Sequence, residues 1–424
     1  MTAVDDRRTA VVGLAVRLPG ADTPEQFWDN NQDGAVFVHR FSADELIAAG
    51  FGESEARDPD VVGASALLDD IAGFDAACFG MSPREAAMTD PQHRLFLEVC
   101  QHALEDAGYG GSGVRVATFG AVGYHLQPLG GYWRTQLDGR VFDAGFEDNH
   151  ASALQVAFCN GSDFIATQTA FRLGLTGPAM TTQTGCSSGL VALDQAIRAL
   201  WHDDADVALV AGAALHVPQV YANRHVKGSI LSRSGVCRAF DAASDGTVAG
   251  NGAVALVLKR LDHAVRDSDR VYATVLGVGV NNDGASKHTY AAPSVTGQMG
   301  AIDRAFALSG VSPSDIGYLE AHGTGTFKGD PIEFSAMDQL WRDREWTPGG
   351  CALGAVKPSI GHLDAAAGLA GLVKTIGVVR RGVIPPLPNF TAPNPALPLD
   401  GGPFHLPTQA EPWPDLGGPR RAGV

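Results

Sequence analysis

One cysteine stands where a thiol could act as a nucleophile. Cys186 follows Thr184 and Gly185, which would end a strand, and an apolar helix is predicted from Ser187 onward. The free amides and the dipole at the start of a helix lower the pKa of a thiol, which favours the reactive thiolate. Most free cysteines are small buried residues, however, and a nucleophile needs a proton acceptor nearby. Cys186 alone therefore leaves both interpretations open.

Two histidines lie in stretches that could supply such an acceptor. The first is His322 in EAHGTGT, where a predicted strand ends at Glu320 and a loop of small residues follows. Glycines in such a loop let a substrate approach the backbone closely. The hydroxyls of Thr324 and Thr326 can donate hydrogen bonds to an anionic group.

The second histidine is His362 in VKPSIGHLDAAAG. A strand is predicted to end near Lys357, and His362 is predicted to open a helix with too few charges to lie on the surface. An imidazole can move protons near neutral pH, and a nearby cation supports a developing oxyanion. A histidine is more often structural than catalytic, but two at strand ends beside glycine-rich turns favour a chemical role.

The elements that would position these residues alternate between helix and buried strand. The helix over Ser187–Trp201 is apolar around much of its circumference, which places it inside the protein. Apolar-rich segments are typical of buried strands, and strands are predicted at Val11–Val16, Val114–Val122, Ala205–Ala214, Val254–Leu258, Tyr272–Val280, Ile316–Glu320 and Ala352–Val356. Further helices are predicted from Pro24, over Pro91–Ala107, Leu261–Asp267, Gln298–Leu308, Ile332–Trp341 and His362–Val379. This alternation predicts an α/β fold with a mixed or largely parallel sheet.

The chain of 424 residues is long for one core, and its two halves share a similar order of elements. Both observations favour a duplicated α/β unit. The Pro-rich segment Arg381–Asp415 predicts an arm that wraps around the surface.

Composition excludes several classes of protein. The formal net charge of −16 argues against binding to a nucleic-acid backbone, which requires a basic face. No two of the six cysteines have C-x-x-C spacing, so neither a zinc site nor a redox pair is indicated, and a reducing cytoplasm is expected. The start lacks the pattern of a signal peptide, and no apolar run is long enough to span a membrane.

Six separated motifs together resemble the β-ketoacyl synthase (ketosynthase) domains of modular polyketide synthases, in family order from about Thr9 to the last residue. They are GMSPREAAMTDPQHRLFLE, QTGCSSGL, CRAFDAASDGT, NNDGASK, EAHGTGT and VKPSIGHLDAAAGLAGL. Gln183, Gly250-Asn251-Gly252 and Gly361–Asp364 further resemble the ketosynthases of mixed peptide–polyketide assembly lines.

The resemblance implies a fold, partners and a role for each candidate residue. It implies a thiolase-like fold, duplicated and layered α-β-α-β-α, in a homodimer that receives substrates on the phosphopantetheine of an acyl or peptidyl carrier protein. It implies no tightly bound cofactor and no metal. Cys186 would carry the acyl chain while both histidines promote decarboxylation of a malonyl-type extender. Supporting roles would fall to Lys357 and Glu320, which orient the histidines, and to Thr324 and Thr326, which hold the extender.

The resemblance also divides the chain. Residues 1–260 would form an N-terminal half with the nucleophile, and residues 261–424 a C-terminal half with both histidines and the Pro-rich arm. The family continues directly after Val424 into a Gly-rich loop and a central strand whose amide completes the oxyanion hole. We therefore expect a truncated copy that is not fully active by itself.

Two departures beside the nucleophile keep other functions open. Gly185 replaces the usual Ala of the family, and Gly189 replaces a Ser or another residue with a side chain. Added backbone freedom or space next to Cys186 suits a cyclase that acts on a carrier-bound peptide–polyketide thioester without extender. A silent, non-elongating partner subunit is the other alternative. A degradative thiolase is excluded because Cys351 does not lie in its C-x-G-x-G motif.

Overall fold

The computed structural model describes residues 8–111, 113–123, 132, 150–285, 287, 289, 292–414 and 417–424. Residues 1–7, at the start of the stretch without a signal-peptide pattern, lie outside the described residues. So do Ser286 of the NNDGASK motif and Asp415 at the end of the Pro-rich segment.

The described residues form short and long strands throughout the chain. They are β1 (Thr9–Arg17), β2 (Val38–Arg40), β3 (Val61–Ala66), β4 (Val116–Val122), β5 (Ala179–Thr181), β6 (Val207–Ala214), β7 (Ala222–Arg224), β8 (Ala249–Gly250), β9 (Gly252–Arg260), β10 (Ala273–Val275), β11 (Ile316–Glu320), β12 (Cys351–Gly354), β13 (Val383–Ile384), β14 (Phe404–His405), β15 (Glu411–Pro412) and β16 (Arg421–Gly423).

Helices separate most of these strands. The α-helices are α1 (Pro24–Gln32), α2 (Ala43–Ala48), α3 (Glu53–Ala56), α4 (Pro83–Met88), α5 (Pro91–Asp106), α6 (His150–Asn160), α7 (Ile165–Leu173), α8 (Ser188–Trp201), α9 (Leu261–Arg266), α10 (Val295–Ser309), α11 (Gly329–Arg342), α12 (Lys357–Ile360) and α13 (Ala367–Arg381). Three-residue 3₁₀-helices occur at Ser162–Phe164, Pro313–Asp315 and Asp364–Ala366.

Two sheets organise the described part of the chain. The larger has six strands in the order β10-β1-β9-β6-β4-β5, with β4, β5 and β6 parallel and β9 antiparallel to both of its neighbours. The smaller has the order β14-β12-β11-β16 and is parallel throughout. Every residue of β6 is buried, as its uninterrupted apolar sequence predicts.

The sheets and helices pack in five layers. Helix α5 covers one face of the larger sheet, with Phe96 in the core between them. The other face of that sheet packs on α8 and α13, whose buried residues include Leu200 and Leu369. Helix α13 also contacts the smaller sheet through Val378, and α11 covers the far face of the smaller sheet through Trp341. The α-β-α-β-α layering predicted from the resemblance is therefore present.

Most helices and strands lie where the sequence predicts them, within a few residues. Helix α5 begins at Pro91 because Asp90 accepts a hydrogen bond from the Gln92 amide (2.8 Å) and proline suits the first helical position. Thr23 caps α1 in the same way, through the Gln26 amide. Helix α8 starts at Ser188, one residue later than predicted.

The predicted buried strand over Tyr272–Val280 is mostly wrong. Only Ala273–Val275 is a strand, half-buried at the edge of the larger sheet beside β1. The chain beyond it packs closely against α10 instead. A Cβ at Gly279 would lie 1.9 Å from the carbonyl oxygen of Ala301, so this glycine is required for the close approach.

The predictions around His362 need two corrections. The strand expected to end near Lys357 ends at Gly354, and Lys357 is the first residue of α12. The helix expected from His362 begins only at Ala367, after a 3₁₀ turn. Gly361 and Asp364 both have positive φ (71° and 43°), which interrupts helical geometry, so His362 lies in a sharp turn.

The Pro-rich arm is not only a surface feature. Most of it is irregular, but β14 pairs with β12 and extends the smaller sheet. Phe404 is 2% exposed, and its ring packs against Phe334 and Trp341 at centroid distances of 5.7 and 5.2 Å. The arm therefore contributes to the core as well as wrapping around it.

Candidate active site

Cys186 lies in a tight turn between β5 and α8. Gly185 has φ +68°, a conformation that glycine adopts without strain. The hydroxyl of Ser188 accepts a hydrogen bond from the Thr184 amide (2.8 Å) and donates to the Gly185 carbonyl (2.6 Å). These bonds hold the turn, and Cys186 is left exposed on its outer side.

The electrostatic surroundings of Cys186 oppose ionisation. Desolvation by the surrounding protein, and then the carboxylate of Asp364, raise the pKa of the thiol, while the charge of Lys357 lowers it. The net direction is opposite to the one expected from the start of a helix. The thiol is therefore the predominant form of Cys186 at neutral pH.

The two histidines lie together in the structure. The ring centroids of His322 and His362 are 5.6 Å apart, in an edge-to-face arrangement with an interplanar angle of 84°. The backbone of His362 pairs with the segment before β9, through the Val248 carbonyl and the Gly250 amide (2.7 and 3.0 Å). The Asp364 amide donates to Nδ1 of His362 (2.9 Å), so the neutral ring carries its proton on Nε2.

Both imidazoles are neutral at pH 7. The charge of Lys357, followed by desolvation and the neighbouring His362, holds the pKa of His322 well below its ordinary value. Desolvation, followed by the charge of Lys357, lowers the pKa of His362 to about 3. Neutral rings beside a cation can donate hydrogen bonds to a developing oxyanion or accept a proton.

Lys357 is the cation common to all three groups. Its side chain is buried, and Nζ donates to the carbonyl oxygen of His322 (2.6 Å). Burial lowers its pKa, and the carboxylates of Glu333 and Glu320 oppose that shift. The Lys357 ammonium thus contacts the backbone of one histidine and acts on Cys186 and both imidazoles through its field.

The hydrogen bonds of Glu320 go to residues other than the two histidines. Its Oε2 atom accepts hydrogen bonds from Nζ of Lys374 (2.9 Å) and from the hydroxyl of Tyr318 (2.5 Å), with both charged side chains 2% exposed. Oε1 of Glu320 finds no hydrogen-bond donor among the described residues. The carboxylate thus joins β11 to α13. It raises the pKa of Lys357 through its charge and not through a hydrogen bond.

Thr324 and Thr326 face each other across the glycine-rich loop. Their hydroxyl oxygens are 3.0 Å apart, and the Thr326 hydroxyl accepts a hydrogen bond from the Gly329 amide (3.1 Å). Asp330 anchors the loop because it accepts from the amides of Gly325 (3.0 Å) and Phe240 (2.7 Å). Burial raises the pKa of Asp330 to about 7.

Glu333 is a site residue that the sequence interpretation missed. Its carboxylate accepts hydrogen bonds from the amides of His322 (2.6 Å) and Gly323 (2.9 Å). It is the fifth residue of α11, which begins three residues after the EAHGTGT stretch. The acidic pair of GDPIE at the start of a helix was the available signal, since carboxylates there face the preceding loop.

Removing this carboxylate is expected to loosen the His322 loop. Glu333→Ala leaves two amides without their acceptor, at a cost of about 1.5–3 kcal/mol in unfolding free energy for a lost charged hydrogen bond. Glu333→Gln retains one oxygen and should lose less. Urea unfolding measures the effect, with Glu345→Ala in the exposed loop after α11 as the control that should change by less than about 0.5 kcal/mol. Equal stabilities for all three variants would contradict the assigned contact.

Glycine occupies the two positions beside Cys186, Gly185 and Gly189, for different structural reasons. A Cβ at Gly189 would lie 2.7 Å from the Ala365 carbonyl oxygen and 2.9 Å from Cγ of Leu369. Gly189 therefore lets α8 pack directly against the turn that follows His362. A Cβ at Gly185 would meet no atom of the described residues within 4 Å, so only its positive φ selects glycine there.

Gly189→Ala is expected to destabilise the protein and displace the histidine turn. Overpacking of this kind costs about 1–3 kcal/mol. Gly418→Ala is the control, because Gly418 is exposed outside the helices and strands, its φ is not positive, and a Cβ there meets no described atom within 4 Å. The free energy of unfolding in urea and the rate of product formation should both fall for Gly189→Ala and not for Gly418→Ala. An unchanged stability of Gly189→Ala would show that the contact relaxes freely.

The described residues contain no group of three or more His, Cys, Asp or Glu side chains arranged to hold a metal ion. Among the same residues, no helix combines the length and apolarity required to cross a membrane.

Comparisons with known proteins place this geometry in a family. The family model of the β-ketoacyl synthase N-terminal domain matches residues 6–264, and that of the C-terminal domain matches residues 272–391. A phenolphthiocerol/phthiocerol polyketide synthase chain of Mycobacterium tuberculosis is 40% identical over 429 residues, which cover 100% of this chain and 28% of that protein. Polyketide synthase PksN of Bacillus subtilis is 36% identical over 401 residues, 95% of this chain and 7% of that protein.

Similar solved structures belong to the same kind of protein as the sequence relatives. Ketosynthase twelve of the bacillaene polyketide synthase of Bacillus amyloliquefaciens superimposes with a TM-score of 0.90 at 35% identity, over 98% of this chain and 72% of that one. The ketosynthase of module 1 of the same synthase gives a TM-score of 0.83 at 34% identity, over 97% and 72%. The chain spans little more than a quarter of the length of the mycobacterial relative. By sequence and by its thiolase-like layered fold, the chain belongs to the β-ketoacyl synthase family of acyl-transferring condensing enzymes.

Proposed function

We propose that this chain is a ketosynthase of polyketide or mixed peptide–polyketide biosynthesis. It takes an acyl chain from a carrier-protein thioester onto Cys186 and condenses it with a malonyl-type extender. The observation that carries this proposal is the arrangement around Lys357, whose Nζ donates to the His322 carbonyl oxygen (2.6 Å) while the rings of His322 and His362 lie 5.6 Å apart. The charge of Lys357 also lowers the pKa of the Cys186 thiol and of both imidazoles.

The first step is a thioester exchange. The Cys186 sulfur attacks the acyl carbonyl carbon, a new C–S bond forms, and the bond to the phosphopantetheine sulfur breaks. The proton lost by Cys186 ends on the departing carrier thiol. Lys357 and the amides at the start of α8 stabilise the transient thiolate, which offsets the raised pKa of the resting thiol.

The second step forms the carbon–carbon bond. The malonyl carboxylate leaves as carbon dioxide, and its electron pair becomes an enolate. The enolate carbon attacks the acyl carbonyl on Cys186, and the released cysteine thiolate takes up one proton. His362 donates through Nε2–H to the developing oxyanion because its Nδ1 is occupied by the Asp364 amide. Thr324 and Thr326 line the loop where the extender thioester would bind.

The same proposal includes a homodimer and carrier-protein partners. Strand β5 is at the edge of the larger sheet, and Met180 in it is 49% exposed. Phe171 at the end of α7 is 73% exposed. A second copy paired along β5 would cover this edge. The division at residues 1–260 and 261–424 remains part of the proposal, with the nucleophile and the histidines in different halves.

Mass spectrometry of the protein and analysis of products test the function. Wild type incubated with a butyryl thioester should gain the butyryl mass, and added malonyl carrier protein should then release carbon dioxide and yield a chain two carbons longer. No adduct on wild type would contradict both a condensing enzyme and a cyclase, because each requires an acylated Cys186.

A cyclase that uses no extender is the second candidate. The open space at Gly185, where a Cβ would meet no described atom within 4 Å, favours it because a folded substrate needs room beside Cys186. An adduct followed by release of a product with unchanged carbon count would support the cyclase. An adduct without any release supports the silent partner subunit.

A further inference from the structure

A buried ion pair connects the strand that leads into the candidate site to helix α13. Nζ of Lys374 in α13 lies 2.9 Å from Oε2 of Glu320 at the end of β11, and each charged side chain is 2% exposed. The Tyr318 hydroxyl donates to the same oxygen atom. Burying two charges costs free energy, and a pair of well-packed apolar residues is often as stable. Stability alone therefore does not account for a lysine at this position.

Close packing fixes the position of these polar groups. A Cβ at Gly371 would lie 3.0 Å from Cγ of Glu320, so this glycine lets α13 approach β11 closely. A Cβ at Gly354 would lie 2.1 Å from the Tyr318 hydroxyl oxygen, so a glycine at the end of β12 leaves room for that hydroxyl. The Glu320 carboxylate is thus held in one place relative to the strand end that precedes His322.

The charge of Glu320 acts on the candidate site. Glu320 lies two residues before His322, whose carbonyl oxygen accepts a hydrogen bond from Nζ of Lys357 (2.6 Å). Burial lowers the pKa of Lys357, and the carboxylates of Glu333 and then Glu320 oppose that shift. Charges interact more strongly across a buried interior than through water. The net charge at Glu320 therefore influences how Lys357 acts on the site.

Lys374 is the cation that compensates Glu320. Within the described part of the chain, Lys374 is the ion-pair partner of Glu320, and Oε1 of that carboxylate has no donor there. Without Lys374, the buried carboxylate would keep a full negative charge. Its field would then oppose that of Lys357 at Cys186, and it would attract the Lys357 ammonium away from the His322 carbonyl.

We propose that Lys374 is a positioning residue: by compensating the charge of Glu320, it keeps the Lys357 ammonium on the His322 carbonyl and its positive field on Cys186. The part of this inference that concerns condensation rests on the proposed function, whereas the effect on the Cys186 thiol does not. The titratable groups that act on Lys357 or Cys186 are Glu333, Glu320, Cys237, His322, His362 and Asp364. Lys374→Met changes none of these groups directly, so a change at Cys186 reports the compensation of Glu320.

The test follows alkylation of Cys186 by iodoacetamide as a function of pH, measured by mass spectrometry. This reaction reports the thiolate and needs neither a carrier protein nor acyl transfer. In Lys374→Met the midpoint of the profile should move to higher pH by about 0.5–1 unit, because an uncompensated carboxylate disfavours the thiolate. Glu320→Gln combined with Lys374→Met removes both charges and should restore the wild-type profile. Lys374→Arg keeps the charge and should also match wild type.

Chain extension is the second readout on the same variants. The rate of product formation should fall about tenfold in Lys374→Met, the equivalent of one pH unit at the thiol, and should recover in the double variant.

Lys259→Met is the matched control. Nζ of Lys259 is buried and pairs with Asp267 (2.6 Å) and Asp269 (2.7 Å). Lys259 lies on β9 beside the amino end of β6, whereas Cys186 follows the carboxyl end of β5, which runs in the same direction as β6. Lys259→Met should therefore lose unfolding free energy in urea, as Lys374→Met does, but keep the wild-type alkylation profile.

Three results would overturn the positioning role. They are a wild-type profile in folded Lys374→Met, a shift that persists in the double variant, and an equal shift in Lys259→Met. If thermal melting shows that Lys374→Met is unfolded, Glu320→Gln alone gives the complementary test. Its uncompensated Lys374 ammonium should move the profile to lower pH, and an unchanged profile would refute the role. Failure of the proposed function is distinct, since wild type would then be alkylated at Cys186 but would neither load nor extend an acyl chain.

Discussion

Cys186→Ala is expected to abolish acyl loading completely. Wild type should gain the mass of one acyl group from a carrier thioester or from a small thioester, and the variant should gain none. The reason is that acyl transfer requires a sulfur nucleophile at the turn before α8, and no neighbouring hydroxyl can replace a thiolate at neutral pH. Intact-protein mass spectrometry measures the outcome directly.

Cys78→Ala is the control for this experiment. Cys78 and Cys186 are the exposed cysteines of the described residues, and the other four are buried. If exposure alone explained acylation, both single variants would lose part of the adduct. Full loading of Cys186→Ala together with loss in Cys78→Ala would refute the assignment of the nucleophile.

His362→Ala is expected to separate the two steps of the reaction. Loading of Cys186 should persist, whereas release of carbon dioxide from malonyl carrier protein and formation of the longer chain should fall by about 10²–10⁴-fold. The neutral ring is held by the Asp364 amide on Nδ1, so Nε2–H is available to the enolate oxygen. Alanine removes this donor but leaves the Cys186 turn in place.

His263→Ala is the control for the histidine experiment. It changes a partly exposed histidine on α9, beside Asp262, and should leave both steps unaffected. If decarboxylation and chain extension continue at the wild-type rate in His362→Ala, the role proposed for His362 is wrong. If loading alone is lost, the residue acts on the thiol rather than on the extender.

The low pKa of His362 also sets the direction of its effect on stability. Because the folded pKa, about 3, lies below that of an unfolded histidine, this group destabilises the fold as pH falls from about 6.5 toward 3. Above a pH of about 6.5 the imidazole is neutral in both the folded and the unfolded protein, so this penalty is absent. In His362→Ala this loss of stability at acidic pH should disappear. Urea unfolding at neutral and at mildly acidic pH measures the difference in unfolding free energy.

Burial patterns and turn residues were sufficient to predict much of the fold. Uninterrupted apolar runs become buried strands such as β6 and β9, since only a sheet covered on both faces tolerates them. The position of Cys186 at the start of α8 was equally predictable, because Gly185 before it and the apolar pattern after it are signals within the neighbouring sequence. The prediction of a strand over Tyr272–Val280 failed because a non-local contact, the packing against α10, determined the path of this segment.

The sequence by itself determined which residue types are candidates for the site: the thiol, the two histidines, the lysine and the threonines. Their mutual contacts depended on the tertiary structure. Glu320 and Glu333 flank the same histidine loop, yet Glu333 binds the His322 and Gly323 amides while Glu320 pairs with Lys374. Both are carboxylates close in sequence to His322, and the helix start that favours Glu333 does not by itself exclude Glu320. Only the packing of α11 and α13 around β11 decides which carboxylate meets the loop, because side-chain contacts follow the direction in which each element presents its residues.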